Sequence, residues 1–233
     1  MIKTIFFDWF NTLARYEPPR EKLHSLALKE CGIVRTPEEM LPGVMAADVY
    51  FFEEHARSPV SKRDPKEQAE VWTCYQQIVL DSAGIKADRE LLAKVMKKAG
   101  ELFKETAWVL FDDVLPTLKT LKQQKFAIGL LTNLAKDMSS TCRNLGLESY
   151  LDVIVTSEEA GADKPNPVIF QAALQRAGVD ASEAIHVGDQ YKIDVVGARG
   201  VGINPILIDR YNFYPEVRDC PRIRSLIELA DYL

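Results

Sequence analysis

The chain has 233 residues, of which 47% are hydrophobic, 27% charged and 9% aromatic. This composition is typical of a folded globular protein, and it excludes the disordered, fibrous and membrane-spanning classes. Lysine and arginine together number 29 against 34 aspartates and glutamates, which gives a formal net charge of -5. Because there is no basic run to bind phosphate backbones or anionic lipid, we expect neither nucleic acid nor a membrane as a partner.

Short apolar runs alternate with helical patterns over most of the chain. The runs are nearly all apolar, which is typical of strands buried on both faces. They span residues 2–7, 126–131, 153–155, 185–187 and 205–208. The helical patterns that lie between and after them span residues 114–122, 136–145, 168–177 and 192–199. Strands that alternate with helices predict an α/β fold, here a five-stranded, Rossmann-like parallel sheet with helices on both faces.

The stretch from residue 15 to residue 105 interrupts this alternation. It contains four helical patterns, at residues 20–31, 37–57, 65–83 and 88–104. A helical block inserted after the first strand of such a sheet is expected to lie over the carboxyl ends of the strands, where open parallel sheets bind ligands. We therefore predict two domains: an α/β core formed by residues 1–14 and 106–233, and an inserted helical cap at residues 15–105.

Polar side chains follow four of the predicted strands at their carboxyl ends. They are Asp8 after the first strand, Thr132 and Asn133 after the second, Lys164 after the third, and Asp189 and Asp194 after the fourth. Because these ends share one edge of a parallel sheet, we expect the side chains to converge on one crevice. Three carboxylates, one ammonium group and several short polar groups suit a divalent cation and an anionic small-molecule substrate.

Four motifs resemble those of the haloacid dehalogenase-like (HAD) hydrolase superfamily. They are Phe7-Asp8-x-x-x-Thr12-Leu13, Leu131-Thr132-Asn133, Lys164-Pro165-x-Pro167-x-Ile169-Phe170 and Val187-Gly188-Asp189-x-x-x-x-Asp194. The resemblance covers essentially the whole chain, and it implies a member of the superfamily with a helical cap inserted after the first motif.

The resemblance implies a role for each motif residue. Asp8 would be the nucleophile, whose carboxylate forms an ester that water then opens. Thr132 and Asn133 would bind the transferred group. Lys164 would restrain Asp8 and neutralise charge in the transition state.

The same resemblance implies a magnesium (Mg2+) site. Asp189 and Asp194 would hold the cation together with Asp8, since a small, hard cation prefers oxygen ligands. The backbone carbonyl of Phe10 could be a further ligand, because that role does not depend on the side chain.

Phe10 departs from the pattern of the phosphatases in this superfamily. These carry a second aspartate two residues after the nucleophile as general acid and base, and a phenyl ring can neither protonate a leaving alkoxide nor activate water. The 2-haloacid dehalogenases carry a tyrosine at this position, use no metal and release a halide that needs no proton. In such an enzyme Arg15 would bind the substrate carboxylate. The dehalogenases, however, have serine and asparagine in the fourth motif, where Gly188-Asp189 is the metal-binding version.

Three functions therefore stay open. The leading hypothesis is magnesium-dependent hydrolysis of a small phosphorylated metabolite through Asp8, and the second is metal-independent dehalogenation of a 2-haloacid. The third is a binding or regulatory protein on a catalytically weak scaffold. Phosphonatase-like members fit less well, because they carry a small residue in place of Phe10 and use a cap lysine; the cap lysines include Lys22, Lys29 and Lys62.

The cysteines and histidines carry no ligand-like spacing. Cys31, Cys74, Cys142 and Cys220 are far apart in sequence, which excludes a Cys-x-x-Cys zinc site. His24, His55 and His186 are expected to have core or surface roles. The N-terminal apolar run is too short for a signal peptide, so we expect a cytoplasmic protein with reduced thiols, as a monomer or homodimer.

Overall fold

The computed structural model describes residues 1–134 and 137–233. The strands are β1 (Thr4–Phe7), β2 (Ala14–Glu17), β3 (Ala107–Leu110), β4 (Ala127–Thr132), β5 (Val153–Thr156), β6 (Ala184–Gly188), β7 (Asn204–Ile208) and β8 (Arg222–Ile223). The α-helices are α1 (Arg20–Glu30), α2 (Pro37–Arg57), α3 (Pro65–Ser82), α4 (Arg89–Phe103), α5 (Val114–Gln123), α6 (Met138–Asn144), α7 (Ser157–Ala160), α8 (Pro167–Ala177) and α9 (Val196–Gly200). The chain divides into two compact units, one formed by Met1–Arg15 with Val109–Leu233 and the other by Tyr16–Trp108.

The first unit is built on a parallel sheet with the strand order β5-β4-β1-β6-β7-β8. Strand β1 lies between β4 and β6, with Phe7 opposite Leu130 on one side and Val187 on the other. All four residues of β1 are buried, as its apolar sequence predicts. This register aligns the carboxyl ends of the central strands, so the residues that follow them meet at one edge. The predicted α/β fold class is confirmed.

The sheet has one strand more than the sequence predicts. The five predicted strands are present, but β8 adds a sixth, which pairs with β7 through Leu207 and Arg222. The prediction of five strands was wrong because β8 is two residues long, too short to show a periodic pattern. Strands β2 and β3 form a separate two-stranded sheet.

The helices of the first unit follow the predicted segments with two differences, one of which is the short helix α7, which was not predicted. The predicted helix at 192–199 is a π-helix at Tyr191–Val195 that continues into α9. The amide of Val195 donates to the carbonyl of Gln190, one residue further back than in an α-helix. The predicted helix at 136–145 is present as α6, and residue 136 lies outside the described residues.

The second unit consists mainly of the four helices α1 to α4, as predicted. Helix α2 begins at a capping box, in which the Thr36 and Glu39 side chains each accept the other's backbone amide. The unit has its own apolar core, which includes Leu28, Met40 and Val79. Among the described residues, no helix combines the length and the apolar character needed to cross a membrane.

Candidate active site

The centre of the site is an ion pair between Asp8 and Lys164. Asp8 directly follows β1, and its Oδ1 accepts a hydrogen bond from Lys164 Nζ at 2.7 Å. The same ammonium group donates to Asp194 Oδ1 at 2.6 Å. The side chain of Lys164 is only 1% exposed. Burial lowers its pKa, but Asp194 and Asp8 outweigh this effect and raise the pKa to about 12, so the lysine stays charged.

Asp194 lies in the π-helix and accepts hydrogen bonds on both oxygens. Oδ1 accepts from His186 Nε2 at 2.9 Å as well as from Lys164, and Oδ2 accepts the backbone amide of Gln190 at 3.0 Å. Burial alone would raise the pKa of this carboxyl, but Lys164 and His186 together lower it. Asp194 is therefore held as an anion in a fixed orientation.

Gly188 makes room for this carboxylate. A Cβ atom at position 188 would lie 2.2 Å from Asp194 Cγ, a distance that non-bonded carbon atoms do not reach. The glycine in this motif is thus required by the close approach of the Asp194 side chain.

Asp189 is oriented by two amide side chains. Its Oδ2 accepts from Asn11 Nδ2 at 3.2 Å and from Gln190 Nε2 at 2.8 Å. Asn11 stands in the turn after β1 with φ 54°, a left-handed conformation that asparagine tolerates better than most residues. Burial, and then the charges of Asp8 and Asp194, raise the pKa of Asp189 well above its usual value.

The three carboxylates carry more negative charge than the site neutralises. Asp8, Asp189 and Asp194 each offer one oxygen within 4.8 Å of the others, and all three are buried. One lysine lies among them. Burial first, and then the charge of Asp194, raise the pKa of Asp8 to about 6 although Lys164 opposes the shift. An all-oxygen donor set with excess negative charge fits a small, hard divalent cation, so this cluster could hold a metal ion.

Thr132 and Asn133 lie at the end of β4. Thr132 is buried, and its hydroxyl accepts the backbone amide of Leu134 at 3.2 Å. Asn133 binds the backbone of Lys164 from both sides: its Oδ1 accepts the Lys164 amide at 2.6 Å, and its Nδ2 donates to the Lys164 carbonyl at 3.0 Å. This pair of hydrogen bonds fixes the loop that carries the lysine.

Phe10 and Arg15 follow Asp8 in and just after the first motif. Phe10 is half-buried and forms an isolated β-bridge with Ala14. The guanidinium carbon of Arg15 lies 5.9 Å from the centre of the Phe111 ring. The structure thus joins Asp8, Lys164, Asp189, Asp194 and Asn133 through direct contacts or close oxygens, whereas it places Arg15 against an aromatic ring.

Three residues of this network were not predicted. Asn11 has a detectable signal, because asparagine in a tight turn after a strand favours the left-handed conformation. His186 was expected to have a core or surface role; it is buried in β6, but it also donates to Asp194. Neither its position in an apolar strand nor the position of Gln190 beside Asp189 reveals these contacts.

A protein-family model described as haloacid dehalogenase-like hydrolase matches residues 2–202. The chain belongs to the haloacid dehalogenase-like (HAD) hydrolase family. The four motifs that suggested this HAD membership are the segments that the structure brings together around Asp8.

Some curated relatives of this HAD hydrolase are named for the family domain alone, and others are named as phosphatases. The human haloacid dehalogenase-like hydrolase domain-containing protein 3 is 27% identical, over 100% of this chain and 92% of the relative. The zebrafish (Danio rerio) protein of the same name is 37% identical over 125 residues, and the chain spans about half of it, 52%. Ribulose-1,5-bisphosphate 5-phosphatase from Halopiger xanaduensis is 40% identical over 101 residues, which are 43% of this chain and 42% of that enzyme.

Solved structures of HAD proteins share the fold over the full length. The HAD-hydrolase YfnB from Bacillus subtilis superimposes with a TM-score of 0.67 at 23% identity, covering 100% of this chain and 98% of that chain. A 2-haloacid dehalogenase from Pseudomonas syringae superimposes with a TM-score of 0.57 at 27% identity, covering 99% and 97%.

Proposed function

We propose that this HAD hydrolase is a magnesium-dependent phosphatase that acts on a small phosphorylated metabolite, with Asp8 as the nucleophile. The observation that carries this proposal is the buried cluster of three carboxylates around a single lysine. Such a cluster would repel a phosphate dianion by itself, whereas a bound divalent cation reverses the local charge. The phosphatase name of the relative from Halopiger xanaduensis, 40% identical over 101 residues, supports the same activity.

The cation would be held by Asp8, Asp189 and Asp194, with the backbone carbonyl of Phe10 as a further ligand. Although both oxygens of Asp194 accept hydrogen bonds, a carboxylate oxygen has more than one lone pair and can also bind a cation. When bound, magnesium would neutralise the substrate phosphate and the charge that develops on it.

The reaction would proceed through a covalent aspartyl phosphate formed at Asp8. An oxygen of Asp8 attacks phosphorus, the bond from phosphorus to the leaving oxygen breaks, and the leaving alkoxide takes a proton from solvent, because Phe10 has none to give. Lys164 orients the attacking carboxylate through the 2.7 Å hydrogen bond, while the Thr132 hydroxyl and the second amide proton of Asn133 bind the transferred phosphoryl group. Water then attacks phosphorus in the aspartyl phosphate and gives up a proton to solvent, the bond between phosphorus and Asp8 breaks, and inorganic phosphate leaves with Asp8 restored.

The two structural units would have different roles in this proposal. Met1–Arg15 with Val109–Leu233 would form the catalytic core domain, because it holds every residue of the acidic cluster. Tyr16–Trp108 would form the inserted cap domain.

Phosphate release and its metal dependence test the proposed function. A panel of small phosphorylated metabolites is incubated with the protein in magnesium or in a chelator, and inorganic phosphate is measured. We expect release in magnesium only, and a loss of about 10⁴-fold or more in Asp8→Asn, because the nucleophile is removed. The exposed Asp112→Asn is the matched control and should leave turnover unchanged. Magnesium-dependent release that survives in Asp8→Asn would contradict the assignment.

Phe10 leads to a second prediction about the leaving group. Because its side chain cannot supply a proton, turnover should fall steeply as the pKa of the leaving alcohol rises. Phe10→Asp should raise turnover of alkyl phosphates by about 10²-fold and that of aryl phosphates much less. The comparison is made against Phe10→Asn, which is similar in size to aspartate but carries no acid. An equal response of both substrate types would show that Phe10 does not limit the reaction.

A second candidate function is dehalogenation of a 2-haloacid, which Phe10 and the likeness to the Pseudomonas syringae dehalogenase favour. Halide leaves without a proton, so an aromatic residue at this position is chemically coherent. In that case the same preparation should release halide from 2-haloacids in the presence of a chelator. No release of phosphate or halide from a folded protein would favour a binding or regulatory role instead.

A further inference from the structure

A loop that lies beyond the four motifs reaches the acidic cluster. It comprises residues 209–214, directly after β7, and it also lies beyond residues 2–202 that match the family model. We refer to it as the brace loop. Two of its side chains, Arg210 and Tyr214, bind residues that in turn contact Asp189.

The Tyr214 arm acts through Gln190. The Tyr214 hydroxyl donates to Gln190 Oε1 at 3.1 Å, and Gln190 Nε2 donates to Asp189 Oδ2 at 2.8 Å. Gln190 is buried, at 6% exposure. Because the amide side chain has one acceptor atom and one donor atom, the hydrogen bond that the Tyr214 hydroxyl donates to Oε1 keeps Nε2 turned towards Asp189. Without that proton, the amide could present its oxygen to the carboxylate.

The Arg210 arm acts through Asn11. Arg210 Nε donates to the Asn11 carbonyl at 3.2 Å, and its Nη2 donates to the Thr12 carbonyl at 2.8 Å. Asn11 Nδ2 then donates to Asp189 Oδ2 at 3.2 Å. The guanidinium is itself fixed by two hydrogen bonds of 2.9 Å to the Asp113 carboxylate, and it lies 3.9 Å from the centre of the Phe111 ring.

The brace loop is closed by hydrogen bonds to one buried carboxylate. Asp209 at its start is 1% exposed, and its carboxylate accepts the backbone amides of Phe213 at 2.6 Å and Tyr214 at 3.0 Å. Arg222 of β8 donates to the same carboxylate at 2.8 Å. The two ends of the loop are therefore tied together through one buried side chain.

We propose that Arg210 and Tyr214 are positioning residues for the carboxylate of Asp189. Both arms end on Oδ2, so among the described residues Oδ1 receives no hydrogen bond and is the oxygen presented to a cation. This inference rests on the proposed magnesium-dependent function. It assigns the orientation of a motif residue to a loop outside the motifs.

Magnesium binding measured by titration calorimetry, without substrate, tests the two arms. Tyr214→Phe removes one hydroxyl, and Arg210→Lys keeps the charge but cannot donate to Asn11, Thr12 and Asp113 together. We expect each variant to bind magnesium about 10- to 100-fold more weakly, the usual effect of losing a residue that orients a metal ligand. Because both arms act on the same oxygen, the double variant should lose less than the product of the two effects.

Tyr191→Phe is the matched control. Tyr191 begins the π-helix, and its hydroxyl donates to Asp219 at 2.6 Å in an exposed contact that does not include Asp189, so magnesium affinity should stay at the wild-type value. Wild-type affinity in Tyr214→Phe would overturn the inference, and so would two losses that multiply in the double variant. Tyr214→Phe decides the question alone if Arg210→Lys does not fold. A wild-type protein that binds no magnesium would instead overturn the proposed function, and this inference with it.

Discussion

Each unit of the protein buries a cluster of charged groups, and the two clusters differ in the ratio of positive to negative charges. In Tyr16–Trp108, Arg20 forms an ion pair with Asp48 through both carboxylate oxygens, and the Tyr75 hydroxyl donates to Asp48 at 3.0 Å. One positive charge meets one negative charge. In the other unit, one lysine meets three carboxylates.

This difference separates a structural role from a functional one. A balanced and hydrogen-bonded cluster is complete within the protein, and removal of either partner leaves an uncompensated buried charge. In the proposed function, the cluster with excess negative charge is completed by a bound cation. The same substitution, aspartate to asparagine, should therefore have opposite effects on stability in the two units.

The largest effect is expected at Asp48. Asp48→Asn removes the carboxylate charge that faces Arg20, whose side chain is 19% exposed, and should lower the free energy of unfolding by about 3–5 kcal/mol. Urea denaturation measures the change. As a control, Glu90→Gln breaks the exposed pair with Lys94 and should leave the free energy of unfolding nearly unchanged, because the side chains of Lys94 and Glu90 are 62% and 77% exposed. Equal losses in the two variants would contradict the comparison.

A smaller, pH-dependent effect is expected at His24, which lies beside the Arg20 cluster. Burial, and then the charge of Arg20, lower the pKa of His24 from 6.5 to about 4. Below pH 6.5 His24 takes up a proton in the unfolded chain but stays neutral in the folded protein. The free energy of unfolding therefore falls as the pH drops from 6.5 to about 4. At pH 5 this amounts to about 2 kcal/mol.

The pH dependence of urea denaturation between pH 7 and pH 5 checks this expectation. His24→Gln should show a flatter decline than the wild type, because glutamine does not titrate and can still hydrogen-bond to Gln76, whose Nε2 lies 3.4 Å from His24 Nδ1. An unchanged slope in the variant would assign the acid sensitivity to other groups.

The smallest effect is expected at Asp189, and its sign is reversed. In a chelator, Asp189→Asn should raise the free energy of unfolding by about 1 kcal/mol, the usual scale of one substitution, because it removes a like charge beside Asp8 and Asp194. Magnesium should then stabilise the wild type but not the variant, since binding to the folded state alone adds stability. Thermal unfolding with magnesium and with chelator checks both points. If Asp189→Asn lowers the free energy of unfolding in chelator, the two substitutions have the same sign and the predicted difference between Asp189 and Asp48 is wrong.

Much of the fold and part of the candidate site can be predicted from the sequence. Apolar runs identify the strands because strands buried on both faces lack polar residues, and the strand ends then point to Asp8, Asp189 and Lys164. The four motifs add the expected roles. The helices of Tyr16–Trp108 are predictable because their apolar residues recur at helical spacing and because capping residues such as Thr36 and Asp88 mark where α2 and α4 begin.

The network around these residues is not predictable in this way. Arg210 binds the carbonyl of Asn11 across 199 positions of sequence, and no local pattern indicates such a contact. From the sequence, His186 looks like an ordinary residue of a buried strand. Its contact with Asp194, which lies in the π-helix, is visible only in the structure. Individual candidate site residues can be predicted from short segments, whereas the side chains that orient them depend on the assembled sheet.

The contact between Gly188 and Asp194 has a consequence for how this site can evolve. A side chain at position 188 would occupy the space of the Asp194 carboxylate, 2.2 Å away from its carbon. A larger residue at 188 therefore requires a different residue at 194, and replacement of Asp194 alone removes one of the two carboxylates that Lys164 binds. Either change is harmful before the other is present. The residues at positions 188 and 194 are therefore expected to change together rather than one at a time.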